Sequence, residues 1–382
     1  MNLTSFSDTN ILYFFFRFFL LIVVLFNVKK ISKTNKVENI LKFWPTILSY
    51  TLVSGLRWGR PYDYNVYYYV YNDIVSGYGR TDNEPLFTLL VKIAGAMGCD
   101  WQGFVIFMSF VLVTSGCYFL KSYPQYLTLS LPLFCLSLTF AENVMRWYLG
   151  YSFVLIGLSF LMLQNDYKKF IVFSLLGFFI HYGLLINIIL LLLICLIRKP
   201  LNPRVAFIIY VCVLLFFSMS VFSQLANVVS KINIGTRFLS YQENAQMWLD
   251  ADMQQSTGQT GVFTFVENLF FFYGGYKLCN KSPKFIKMYN IAVIACIFYP
   301  IAMQLELLIR INSVLYMFKY IVMGFLLKDI LLNKSYYPKY YLNLVVVFCI
   351  YYFYSLVFHD AFMIGSEHYF IWDADGRKTL GL

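Results

Sequence analysis

Residues 11–28 read ILYFFFRFFLLIVVLFNV, with Arg17 as their one charge, and residues 29–36 follow as KKISKTNK. A helix needs about 20 predominantly apolar residues to cross a bilayer core, so this stretch reads as a transmembrane span. Positive charge collects on the cytoplasmic side of such spans. The preceding MNLTSFSDTN carries none, while five lysines (29, 30, 33, 36 and 42) follow the run, so the N-terminus is expected outside. A cleavable signal peptide has the opposite charge order.

The same pattern recurs along the 382 residues, of which 60% are hydrophobic, 20% aromatic and only 13% charged. Soluble domains carry roughly a quarter charged residues, so a soluble enzyme with one anchor is excluded. Further spans are expected near 43–57, 101–120, 126–140, 144–163, 169–182, 183–197, 204–223, 261–278, 286–304, 311–328 and 339–358. With the first they make twelve, in a range of eleven to thirteen, in one all-α polytopic transmembrane domain over 1–382. The run at 85–97 is short and carries Lys92, which predicts an interfacial or re-entrant helix. It lies in the first long outer segment, 58–100; a second is expected at 224–260.

Other classes fall away. The eight cysteines sit mostly in apolar runs without a CxxC pair, so neither a disulfide framework nor a zinc site is expected. Walker and GxGxxG motifs are absent, and no cofactor is expected. The net charge of +11 is dispersed between spans, as orientation requires and nucleic-acid binding does not.

That charge is sorted by type. Alternating sides from an outside N-terminus puts 18 of the 30 basic residues inside, 16 of them lysine. Ten fall outside, seven of them arginine, and Arg17 and Lys319 remain within spans. Lysine inside serves topology. Arginine outside does not, and its planar fork of donors suits phosphate and carboxylate. The plain alternative is snorkelling or pairing with outer acids.

The residues that could carry chemistry fall on that outer side. GLRWGRPYDYNVYYYVYNDI at 55–74 places Arg57, Arg60 and Asp63 at the end of a span, with six tyrosines between 62 and 71. Trp58, Tyr64 and Tyr68 bring flat apolar faces that suit sugars, or an interfacial aromatic belt. Glu84 precedes Pro85 at a helix N-terminus, where the macrodipole favours its charge and where it could simply cap. Arg146 opens a span with Glu142 one turn earlier, the spacing of a helical ion pair. His181 lies between two apolar runs, where an ionisable residue is a functional candidate and a satisfied buried histidine is the bland reading. Arg310, four residues after Glu306, and Arg237 in the second long outer segment complete the set. Hydrophobic packing could gather them around one outward-facing cavity.

The succession GLRWG, RPYDYNVYYYVY, EPLF, NVMRWYLG, FFIHYGLLI, LIRINSVLY, from about 55 to 320, resembles the EpsG-type Wzy polymerases of O-antigen and exopolysaccharide. Pro61-Tyr62, Trp147 and Gly183 depart from the Gly-Thr, Gln and Ser common in that family. The resemblance implies a GT-C-like, metal-independent inner-membrane glycosyltransferase whose active site faces the periplasm. Its donor and acceptor would be oligosaccharides on undecaprenyl pyrophosphate, with membrane lipid around it and a chain-length regulator protein as a further partner. On that reading Arg57, Arg146 and Arg310 hold the pyrophosphate, Arg60 and Arg237 assist, and Trp58, Tyr64, Tyr68 and Glu306 meet sugar. The base that removes the acceptor proton is Asp63, Glu84 or His181. Two rivals use similar features: a flippase for the same lipid-linked glycan, and a membrane O-acyltransferase. The first needs internal repeats and mid-membrane polar groups, of which few are seen; the second does not need the outer arginines.

Overall fold

The computed structural model describes residues 8–32, 37, 39–58, 63–78, 84–218, 261–303, 306–362 and 369–372. The chain is an all-α polytopic membrane protein. Its helices are α1 (Asp8–Ile31), α2 (Trp44–Gly55), α3 (Asp63–Ser76), α4 (Pro85–Ala96), α5 (Trp101–Leu120), α6 (Leu127–Leu136), α7 (Thr139–Asn143) and α8 (Met145–Gln164). They continue as α9 (Tyr167–Ile180), α10 (Leu184–Cys195), α11 (Pro203–Ser218), α12 (Val262–Lys281), α13 (Ile286–Ala302), α14 (Glu306–Leu332) and α15 (Lys339–Phe353). Among the described residues each of the twelve expected runs falls mainly on helix, and the short one at 85–97 is α4. Six stretches among the described residues are long and apolar enough to cross a membrane: 10–31, 101–120, 124–143, 145–164, 283–302 and 339–362. The expected outer loop at 224–260 lies outside the described residues, as do Arg60 and Arg237.

Local signals set the ends. The Asp100 carboxylate accepts from the Gly103 N–H at 2.8 Å to start α5, and Asp166 accepts from Lys169 at 3.0 Å to start α9. Asn165, left-handed at φ 52°, closes α8, so α8 and α9 form a tight hairpin. Helix α3 occupies the tyrosine-rich segment, where the apolar runs predict no helix. Its buried residues Tyr64, Tyr67, Tyr71 and Ile74 recur at helical spacing, so the period was present in the tyrosines themselves.

The chain divides into two compact units, Met1–Ile189 with Met323–Leu382, and Leu190–Val322. In the first, Arg17 of α1 is satisfied wholly by protein, as a charge in a membrane span must be. It donates to the Leu356 and Leu136 carbonyls and, at 2.9 Å, to the Tyr13 hydroxyl, and it pairs with Asp360 at 3.4 Å. Leu356 lies in a π-helical turn, Tyr354–His359, whose wider winding leaves carbonyls to be claimed from outside. Two short strands, β1 (Arg57–Trp58) and β2 (Tyr369–Phe370), pair antiparallel, so the chain's last described residues return beside Arg57.

The second unit holds its own buried charge. Lys319 of α14 donates to Glu267 of α12 and to the Tyr316 hydroxyl, each at 2.8 Å, with side chains 1% and 4% exposed for Lys319 and Glu267. The Asn290 side chain bridges the Lys199 carbonyl and the Leu201 N–H, at 3.0 and 2.9 Å, tying the start of α13 to the loop before α11.

Candidate functional site

The candidate site is built where the ends of α3, α4, α8 and α9 meet in the first unit. The approach of α8 to α9 is set by glycine. A Cβ on Gly150 would stand 2.7 Å from the Gly177 carbonyl oxygen, and one on Gly177 would stand 2.6 Å from that of Gly150. Only glycine lets two membrane helices approach this closely, and α8 and α9 therefore cross backbone to backbone. One turn from that crossing lie Arg146 and Trp147 on α8, and His181 at the end of α9. Beneath them an aromatic floor of Tyr64, Tyr67, Tyr71, Phe87, Trp101 and Phe104 joins α3, α4 and α5.

Glu84 caps α4 by position, but its side chain makes no capping hydrogen bond. One carboxylate oxygen lies 2.7 Å from His181 Nδ1 and accepts the Tyr182 N–H at 3.1 Å. The other pairs with Arg146 Nη1 at 3.0 Å. Burial alone would raise the Glu84 pKa. The hydrogen bond and charge of His181, the charge of Arg146 and the Tyr182 N–H outweigh it, and the carboxyl is held below its ordinary value. An ionised carboxylate only accepts, so in the neutral imidazole the proton sits on Nδ1 and Nε2 carries the lone pair. The Arg146 guanidinium lies over the rings of Phe87 and Tyr67, 5.2 and 5.7 Å from their centroids. The Trp147 ring covers the imidazole at 4.8 Å.

The other candidates are placed as follows. Arg57 is 4% exposed, and its guanidinium donates to the Ser54 carbonyl and, at 3.3 Å, to that of Glu142. A narrow pocket beside it is lined by Tyr50, Ser54, Met108, Ser109, Met145 and Tyr148. Glu142 accepts from the Ser54 hydroxyl at 3.0 Å. The chain breaks helix at Val144 between Glu142 and Arg146, and Arg146 pairs with Glu84. The Asp63 N–H donates to the Asn143 side chain at 3.1 Å, which ties α3 to α7. Tyr64 is fully buried and donates to Gln102 at 3.1 Å, whereas Trp58 and Tyr68 pack partly buried at the edge of the floor. Arg310 belongs to the second unit, where the Ser313 hydroxyl donates to its carbonyl at 2.8 Å. Glu306 opens α14, and its side chain lies outside the described residues.

Three participants were not singled out from sequence: Trp147, the Tyr182 N–H and the Phe87 ring. Trp147 and Tyr182 are sequence neighbours of Arg146 and His181, which was the available signal; Phe87 sits one turn into α4. Among the described residues no cluster of three or more His, Cys, Asp or Glu side chains could hold a metal ion.

A polytopic helical membrane protein with a histidine, a carboxylate and an arginine meeting where four helix ends converge is the class that fold and site define. The chain belongs to the EpsG family, whose model matches residues 40–369. Membership makes it a polysaccharide-polymerase-like membrane protein of polysaccharide biosynthesis. No curated protein and no solved structure matches the chain.

Proposed function

We propose that the protein is a Wzy-type polymerase of the bacterial inner membrane, joining oligosaccharide repeat units carried on undecaprenyl pyrophosphate at the periplasmic face. The observation that carries this reading is the Glu84–His181 contact of 2.7 Å, with Arg146 on the second carboxylate oxygen. Both Glu84 oxygens are engaged and its pKa is low, which makes it a poor base and a good orienter. His181 therefore takes the proton at Nε2. The acceptor hydroxyl attacks the anomeric carbon of the donor glycan and gives His181 its proton. The bond from that carbon to the pyrophosphate oxygen breaks, and the electron pair leaves with the pyrophosphate. Arg146 stabilises the charge that develops there, as a preorganised cation does in a water-poor site.

Trp58 and Tyr68, at the edge of the aromatic floor, meet sugar rings; Tyr64 and Arg57, both buried, hold the framework. Asp63 fixes the start of α3. The parts of Arg60, Arg237, Glu306 and Arg310 in the pyrophosphate and sugar sites are tested by substituting each with alanine. A chain-length regulator protein is the partner the reading adds.

The test is deletion of the gene with inspection of surface glycan. A single repeat unit on the lipid acceptor supports the polymerase. Loss of all surface glycan supports a flippase or an earlier enzyme and overturns the reading.

A further inference from the structure

We infer that Trp147 and Gly183 act together as the device that aims His181, a positioning pair for the proton transfer; this rests on the reading of His181 as the base. One hydrogen bond from Nδ1 to Glu84 fixes an edge of the imidazole but leaves the ring free to swing about it. The second restraint is the Trp147 ring, tilted 56° against the imidazole at 4.8 Å between centroids. Trp147 is 3% exposed, and the glycine crossing one turn away prevents α8 from moving back.

The space this indole occupies exists because residue 183 lacks a side chain. A Cβ there would stand 2.6 Å from Trp147 Cζ3, 3.0 Å from Cη2 and 3.0 Å from His181 Nε2. A methyl group would therefore push the indole off the imidazole and crowd the atom that receives the proton. The local backbone has little room to yield. The Leu184 N–H donates to the His181 carbonyl and the Leu185 N–H to that of Tyr182, each at 3.1 Å, closing the turn into α10. The indole N–H is buried and has no hydrogen-bond partner among the described residues. A buried orphan donor is unfavourable, and packing on the imidazole is what holds the ring there.

The experiment uses membranes from a deletion strain expressing each variant, supplied with the lipid-linked glycan extracted from that strain. Chain elongation is measured as a rate, and protein level by immunoblot. Gly183→Ala and Trp147→Leu are each expected to slow elongation about 10-fold or more, since small misplacements of a catalytic group are costly. Combined, they should lose less than the product of the single losses, because the smaller side chain makes room for the added methyl. Trp147→Phe keeps a ring against the imidazole and should recover most of the rate lost in Trp147→Leu. Losses that multiply, or a Trp147→Phe variant no faster than Trp147→Leu, overturn the proposal. If Gly183→Ala does not accumulate, the comparison of Trp147→Phe with Trp147→Leu decides alone. His181→Gln separates the two readings. Full elongation by that variant overturns both the base and its positioning, whereas an inactive His181→Gln with multiplying Trp147 and Gly183 losses overturns only the positioning.

Discussion

Glu84 and His181, far apart in sequence, meet at 2.7 Å between a carboxylate oxygen and Nδ1, and the same carboxylate carries Arg146 on its other oxygen. The acid is thus a hub that sets the imidazole tautomer and anchors the guanidinium at once. Glu84→Gln keeps the shape and removes the charge. Elongation should fall by about 100-fold at unchanged protein level, the order expected when a general base loses its partner. A variant with full-length glycan would show that the hub plays no part in the chemistry.

The same hub has a pH signature in stability. Its carboxyl pKa is below the ordinary 4.5 because His181 and Arg146 favour the ionised form in the fold. A depressed folded pKa contributes stability above the unfolded value and loses it as pH falls through the folded one. The melting temperature of detergent-solubilised protein should exceed that of Glu84→Gln above about pH 4.5, and the gap should close as the pH falls below it. A gap that widens on acidification would mean that the carboxyl is not ionised by its partners.

The glycine crossing predicts a structural effect with a chemical consequence. Gly177→Leu places a large side chain where even a Cβ would be 2.6 Å from the Gly150 carbonyl oxygen. Overpacking typically costs about 1–3 kcal/mol, and separation of α8 from α9 would also part Arg146 and Trp147 from His181. Lower membrane abundance and lost elongation are expected together. Wild-type behaviour in both would show that the helices are not in backbone contact.

The second unit offers a test independent of the site. Lys319→Met strips Glu267 of its cationic partner at 2.8 Å and should lower stability by about 3–5 kcal/mol. Adding Glu267→Leu should restore much of it, because two apolar side chains need no charge compensation. Thermal unfolding in detergent measures both. If the double variant is no better than the single one, the pair is not a self-contained unit.

Apolar runs made the helices legible. Pro85 marks a start where the structure has one, and the span pattern needs only local chemistry. Helix α3 was hidden because its apolar face is made of tyrosines, which also read as a membrane-interface belt. Glu84, Arg146 and His181 were each legible as candidates; their pairing was not. It depends on the α8–α9 crossing, a long-range contact, and on the helix break at Val144 that turns Glu142 toward Ser54 and leaves Arg146 to Glu84. The return of the C-terminal residues beside Arg57 rests on a strand of two residues, too short to carry any pattern.

The most direct measurement is the length distribution of surface glycan in a deletion strain carrying His181→Gln at wild-type protein level. The account predicts a single repeat unit on the lipid acceptor, with no ladder above it. A ladder of wild-type length from that strain would contradict it.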